Sequence, residues 1–161
     1  MQMKRYVILT DTRQQKEKHI LKEFDNQGIL HLKTTLPSGD YMALRWRNGM
    51  YLDYSILIDT KKDLLEICYN LCRKSEHERL IREVETGQKL GCKKFVFLIG
   101  ENEIKSADDI KKWRSKYTKV TGEKLLKIMI TFSKHHNCNF IFVSKEKMGT
   151  KIIELLGGND G

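Results

Sequence analysis

The stretch Leu36-Pro37-Ser38-Gly39-Asp40-Tyr41, followed by Tyr54-Ser55-Ile56-Leu57-Ile58-Asp59-Thr60-Lys61, decides how this chain folds. The first part reads as a turn that delivers Asp40 to the head of a strand, Tyr41 to Trp46. Arg47-Asn48-Gly49 reads as a hairpin turn, because asparagine and glycine tolerate the positive φ such turns need. The return strand carries the apolar run and ends on Asp59-Thr60-Lys61. A hairpin linking the two segments brings Asp40 and Asp59 together where a buried strand leaves the core. Two carboxylates and a lysine in one place suit a divalent metal held against a phosphodiester. Such a metal takes hard oxygen ligands and keeps open positions. The ammonium can orient the attacking water or neutralise charge growing on the phosphate. Either triplet alone marks a strand end at the surface more often than a site; the pairing gives them weight.

Further out, Tyr6 to Leu9 reads as a buried strand and Leu30 to Lys33 as a short one. Gln14 to Gln27 reads as a helix, with Ile20, Leu21 and Phe24 on one face and Gly28 as its stop. Asp63 and Glu66 form an N-terminal capping pair for a helix with a broad apolar face: Leu64, Leu65, Ile67, Cys68, Leu71 and Cys72. Ser75 and Glu78 predict a second capping box, opening a helix that turns Leu80, Ile81 and Val84 inward and Arg79, Arg82 and Glu83 outward. Phe95 to Ile99 and Phe140 to Val143 read as core strands, Thr121 to His135 as a long, largely buried helix, and Thr150 to Leu156 as a closing helix. Thr121-Gly122-Glu123-Lys124 lacks the glycine spacing of a phosphate loop and reads as a helix start. Apolar strands alternating with helices predict an α/β layer fold, a mixed sheet with helices on both faces. Residues 1–156 are expected to form one domain and residues 157–161 a flexible tail.

The 30 Lys+Arg against 21 Asp+Glu leave a formal net charge of +9, which favours a polyanionic partner. Nucleic acid is the first candidate and an anionic membrane surface the second. No segment approaches the ~20 apolar residues of a membrane span. The apolar run after Met1-Gln2-Met3-Lys4-Arg5 is too short for a secretory signal, so a cytoplasmic, intracellular protein is expected. Cys68, Cys72, Cys92 and Cys138 show no CxxC and no clustered histidines, and read as reduced core or boundary residues.

Adding the N-terminus gives an ordered set of marks. Val7-Ile8-Leu9-Thr10-Asp11-Thr12-Arg13 is a hydrophobic strand ending in Asp-x-Arg. Gly39-Asp40-Tyr41 follows, with Gly39 in the proline position of a PD-(D/E)xK pattern. The strand ending in Asp59-Thr60-Lys61 runs into a helix with an early Asp63-Leu64, and Arg79 and Arg82 on a later helix precede a core strand. Over positions 6 to 100 the sequence resembles the XPF-type nuclease domain of the restriction-endonuclease-like superfamily, and is most similar to its stand-alone phage and mobile-element versions.

The resemblance implies a restriction-endonuclease-like α/β fold, a central mixed β-sheet flanked by helices on both faces. It implies metal-dependent DNA endonuclease activity on branched, flap or junction DNA in recombination, repair or replication. Asp11, Asp40, Asp59 and Lys61 would be catalytic, with Mg or Mn held by Asp11, Asp40, Asp59 and the Thr60 carbonyl. Arg13 and Arg79 would contact the phosphate backbone or brace the carboxylates, with Arg82 beside them. A homodimer or heterodimer through the nuclease domain is also implied. The chain departs from the pattern in places. Gln14 stands where the family has Glu, and Asp59-Thr60-Lys61 replaces Glu-Arg-Lys. Aspartate keeps the charge on a shorter stem, and losing the middle arginine removes a phosphate or structural contact. A tandem helix-hairpin-helix domain, frequent after this domain in the family, is not expected within these 161 residues, so DNA grip is expected to fall to this domain or a partner.

The most basic stretch, Lys111 to Lys119, interleaves Trp113 and Tyr117 among Lys111, Lys112, Arg114, Lys116 and Lys119. The cations are expected to track a DNA backbone while Trp113 packs inward. The plainer alternative packs both aromatics inward, and for Arg79 and Arg82 it is a solvated helix face paired with Glu78 and Glu83. Two rival functions remain, a catalytically inactive nuclease-fold DNA-binding module and a protein-interaction subunit of a phage or plasmid DNA-processing system. The intact set Asp11, Asp40, Asp59 and Lys61 weighs against an inactive copy.

Overall fold

The computed structural model describes residues 5–14 and 17–158. Six strands form one sheet: β1 (Tyr6–Asp11), β2 (His31–Thr34), β3 (Tyr41–Trp46), β4 (Met50–Lys61), β5 (Lys94–Gly100) and β6 (Cys138–Val143). The helices are α1 (Lys18–Asn26), α2 (Leu64–Cys72), α3 (Lys74–Lys89), α4 (Ala107–Lys112), α5 (Gly122–His136) and α6 (Met148–Gly157). The spatial order is β2-β1-β3-β4-β5-β6. The β1–β3–β4 meander is antiparallel, whereas β2 pairs with β1, β5 with β4, and β6 with β5 in parallel. The sheet is therefore mixed, as the sequence predicts.

Strand alternation splits the core into two layers. On one face Leu57, Phe95, Phe97 and Ile99 pack with Leu64, Ile67, Leu80, Val84 and Phe132 from α2, α3 and α5. On the other, Ile56, Ile58, Val96 and Leu98 pack with Ile20, Phe24, Ile152 and Leu156 from α1 and α6. Helices thus cover both faces, with α2, α3 and α5 opposite α1 and α6.

Several boundaries differ from the sequence reading, each for a local reason. The first helix begins at Lys18 rather than Gln14, with residues 15 and 16 outside the described ones. Glu17 at its N-cap is turned into the core, where its Oε2 accepts a hydrogen bond from the Tyr41 hydroxyl at 2.7 Å. The second strand runs from His31 to Thr34, one residue later than expected. The capping box at Ser75 and Glu78 is absent: α3 already starts at Lys74, and Arg73 closes α2 and opens α3 at once. Asp63 does cap α2, accepting from Glu66 N at 2.9 Å, while the Glu66 carboxylate reaches Lys62 N. Ile130 of the long helix is exposed rather than buried. Helix α4 ends at Lys112, in keeping with the plainer alternative of a helix end and loop over Lys111 to Lys119, but its start at Ala107 has no counterpart in the sequence reading. Gly157, expected in the tail, belongs to α6, and residues 159–161 lie outside the described ones. The four cysteines are free, Cys68 and Cys138 buried and Cys72 exposed.

Candidate active site

Backbone pairing brings the acidic positions together. Asp11 N donates to Asp40 O at 2.9 Å, and Asp40 N donates to Ile58 O at 2.7 Å. The end of β1, the head of β3 and the end of β4 thus lie side by side. The turn before Asp40 is held from α3: Ser38 Oγ donates to Glu83 O and Gly39 N to Glu83 Oε1, at 2.7 and 2.6 Å. Gly39 has φ +75° and an added Cβ would lie 3.2 Å from the Ile58 carbonyl oxygen, so this turn requires glycine.

Asp40 Oδ2 accepts from Thr60 N at 2.8 Å and Thr60 Oγ1 at 3.0 Å. Burial, and then the adjacent Asp59 charge and hydrogen bond, push the Asp40 carboxyl up to about 9. In the metal-free fold this favours the neutral form of the Asp40 carboxyl. Lys61 Nζ lies 3.3 Å from Asp59 Oδ2. Burial pulls the Lys61 ammonium down, but the charges of Asp59, Glu66 and Asp40 outweigh it, so its pKa is raised and it stays protonated.

Asp11 is 3% exposed. Its Oδ1 accepts from Leu36 N at 2.9 Å, and its Oδ2 from Arg13 Nε at 2.8 Å. Arg13 also donates to Leu36 O, and its hydrogen bond with Asp11 raises its pKa. These groups line a cleft of about 350 Å³ with Arg79 and Glu83. Burial raises the Glu83 carboxyl, opposed by the Gly39 N–H and reinforced by Asp59.

Of the sequence-predicted residues, Asp11, Arg13, Asp40, Asp59, Lys61 and Arg79 share this cleft, and Thr60 supports Asp40 from beneath. Arg82 is exposed and does not line it. Lys111, Lys112, Arg114, Lys116 and Lys119 are exposed on α4 and the loop to α5, away from the cleft walls. In that loop Trp113 packs against the core, while Tyr117 is 65% exposed. Glu83 and Glu76 at the cleft were not anticipated. The available signal was helical spacing: Glu76, Arg79 and Glu83 recur at three and four residues on one flank of α3.

Among the described residues no three His, Cys, Asp or Glu side chains gather closely enough to hold a metal. The donor chemistry nonetheless fits one hard cation. The Asp40 and Asp59 carboxyl groups adjoin, a dication would offset the repulsion between them, and Mg commonly takes only one or two protein carboxylates.

The sequence matches the ERCC4 domain over residues 10–156. Two solved structures share the fold. One is XPF from Aeropyrum pernix, with TM-score 0.65 and 14% identity, covering 93% of this chain and 62% of that one. The other is XPF from Aeropyrum pernix in complex with DNA, with TM-score 0.65 and 15% identity, covering 96% of this chain and 64% of that one. The chain thus spans under two thirds of those XPF chains. No curated protein matches it significantly.

Proposed function

Because this chain belongs to the ERCC4 domain family, we propose that it is a divalent-metal-dependent DNA endonuclease, acting on branched, flap or junction DNA. The observation that carries the reading is the half-buried Asp40–Asp59 pair, with Lys61 Nζ 3.3 Å from Asp59, where the head of β3 meets the end of β4. Asp40, Asp59 and the Thr60 carbonyl would hold Mg or Mn, with Asp11 completing the acidic wall. The bound cation would polarise the phosphate and lower the pKa of a coordinated water.

The remaining roles belong to the chain's own groups. Lys61, kept protonated, donates to a phosphate oxygen as negative charge develops there, or holds the hydrolytic water in line. Asp11 orients Arg13, whose side chain is two-thirds exposed and would meet the DNA backbone. Arg79, on α3, offers a second cation lining the same cleft. Thr60 fixes the rotamer of Asp40 through two hydrogen bonds. The +9 charge and the DNA complex of the XPF from Aeropyrum pernix support a DNA partner, and a homodimer or heterodimer is part of the proposal.

The test is cleavage of duplex, flap, fork and four-way-junction DNA with Mg or Mn. Wild-type protein is expected to cut at least one branched form, and Asp59→Asn to lose about 10²-fold or more of that rate. Metal-independent binding with no cleavage of any substrate would favour an inactive DNA-binding module instead.

A further inference from the structure

A second concavity adjoins the acidic cleft, shares Arg13, Thr60 and Lys61 with the site described above, and extends beyond it to residues that site does not use. Its volume is about 480 Å³, and it lies toward α1 and α6. Arg13 and Lys61 line both cavities, so the two meet at the tip of β4. Its lining carries the exposed Lys62 and Lys145, and a small apolar part from Ile20 and Met148, 2% and 4% exposed, beside Gln14, His19 and Thr60.

Gly100 explains how the two lysines converge. A Cβ there would lie 2.9 Å from the Lys62 carbonyl oxygen and 3.0 Å from Lys145 Cγ. Without a side chain at the end of β5, the Lys145 stem folds down against the turn that carries Lys62. This wall also carries the Glu66 carboxylate, which accepts from Lys62 N at 3.1 Å and whose charge acts on Lys61, so the cations Arg13, Lys61, Lys62 and Lys145 outnumber the carboxylate in the lining. Both lysines are exposed, and no ion pair engages either ammonium among the described residues.

The combination selects a ligand. Cations in the lining fit a phosphate, and the small apolar part fits a sugar or base edge. The volume lies in the ~300–1,000 Å³ range of small-ligand pockets. A duplex, whose major groove alone is about 12 Å wide, is far too broad to enter. Contact with Arg13 and Lys61 makes the pocket continuous with the cleft where the scissile phosphate would lie. We propose that this pocket takes one unpaired nucleotide of the strand being cut, its phosphate on Lys62 and Lys145 and its base or sugar on Ile20 and Met148. The assignment rests on the nuclease reading and gives that site its substrate class: DNA with an unstacked nucleotide beside the cut.

The probe is a fluorescent twelve-nucleotide thymidine strand, compared with a blunt twelve-base-pair duplex, in EDTA so that binding is read apart from cleavage. Lys62→Glu combined with Lys145→Glu is expected to weaken single-strand binding about tenfold or more and to lower the slope of log affinity against log salt by about 1.4. Duplex affinity should fall no further than it does in a control, Lys93→Glu with Lys94→Glu, which makes the same charge change at the opposite end of β5. All four lysines are exposed, so the reversals spare the core. Equal losses for strand and duplex, or a single-strand loss no greater than the control's, overturn the pocket. So does thymidine 5′-monophosphate binding as tightly as the strand, which would make it a free-nucleotide site. A wild-type protein that binds the strand but cuts no DNA with Mg or Mn would sink the nuclease reading alone.

Discussion

Asp40 and Asp59 illustrate how a site can be built against the stability of its own fold. An aspartate in an unfolded chain titrates near about 3.9, whereas Asp40 in the fold is pushed up to about 9 by burial and by Asp59. Between those values the folded protein holds more protons than the unfolded one, so this group makes metal-free stability fall as pH rises. Asp40→Asn is therefore expected to raise the melting temperature in EDTA at pH 8, by about 2–4 °C for each kcal/mol recovered. The advantage should shrink toward pH 4, and calorimetry across that range checks the sign. Asp11 behaves in the opposite way. Its carboxylate satisfies Leu36 N inside the protein and anchors Arg13, so Asp11→Ala should cost about 1–3 kcal/mol of folding stability as well as activity. Urea denaturation separates it from Asp59→Ala, which removes no such backbone partner among the described residues.

At the level of elements, the sequence was readable wherever a local pattern and its partner lay close together. The hairpin is the clearest case. Strand β3 runs from Tyr41 to Trp46 as read, and the turn has Asn48 at φ 51° and Gly49 at φ 127°. The Thr121 cap of α5 is likewise local, accepting from Lys124 N at 3.2 Å. The late start of α1 was hidden, because it depends on Glu17 finding the Tyr41 hydroxyl far along the chain. Glu83 was hidden for the same reason: its partner, Gly39 N, sits in a turn on another element. Arg73, 3.7 Å above the Tyr69 ring, joins α2 directly to α3 and leaves no cap position at Ser75. Gly122 was read as part of a helix start, but its further constraint is tertiary. A Cβ there would collide with the Ile110 carbonyl of α4. Gly122→Ala must prise α4 from α5, and should destabilise the protein by about 1–3 kcal/mol in urea unfolding, the scale of an overpacked core.

Across the whole molecule, no helix among the described residues is long and apolar enough to cross a membrane, and the +9 charge remains to be matched. If about four phosphates are neutralised, raising salt from 50 to 200 mM should weaken duplex binding by about 10²-fold, measurable by fluorescence anisotropy. A flat response would mean that the excess charge is not spent on DNA. The long reach of β4 has a practical corollary. The strand carries Asp59 at one end and begins beside the Asn48-Gly49 bend at the other; its irregularity opposite Tyr41 to Ala43 takes up extra residues, so the span follows the six residue steps of the neighbouring chain from Asp40 to Trp46, some 20 Å at roughly 3.3 Å per residue. That bend is a natural insertion port: a fluorophore, affinity tag or tether spliced between Asn48 and Gly49 would ride on the molecule's far pole and leave the chemistry untouched.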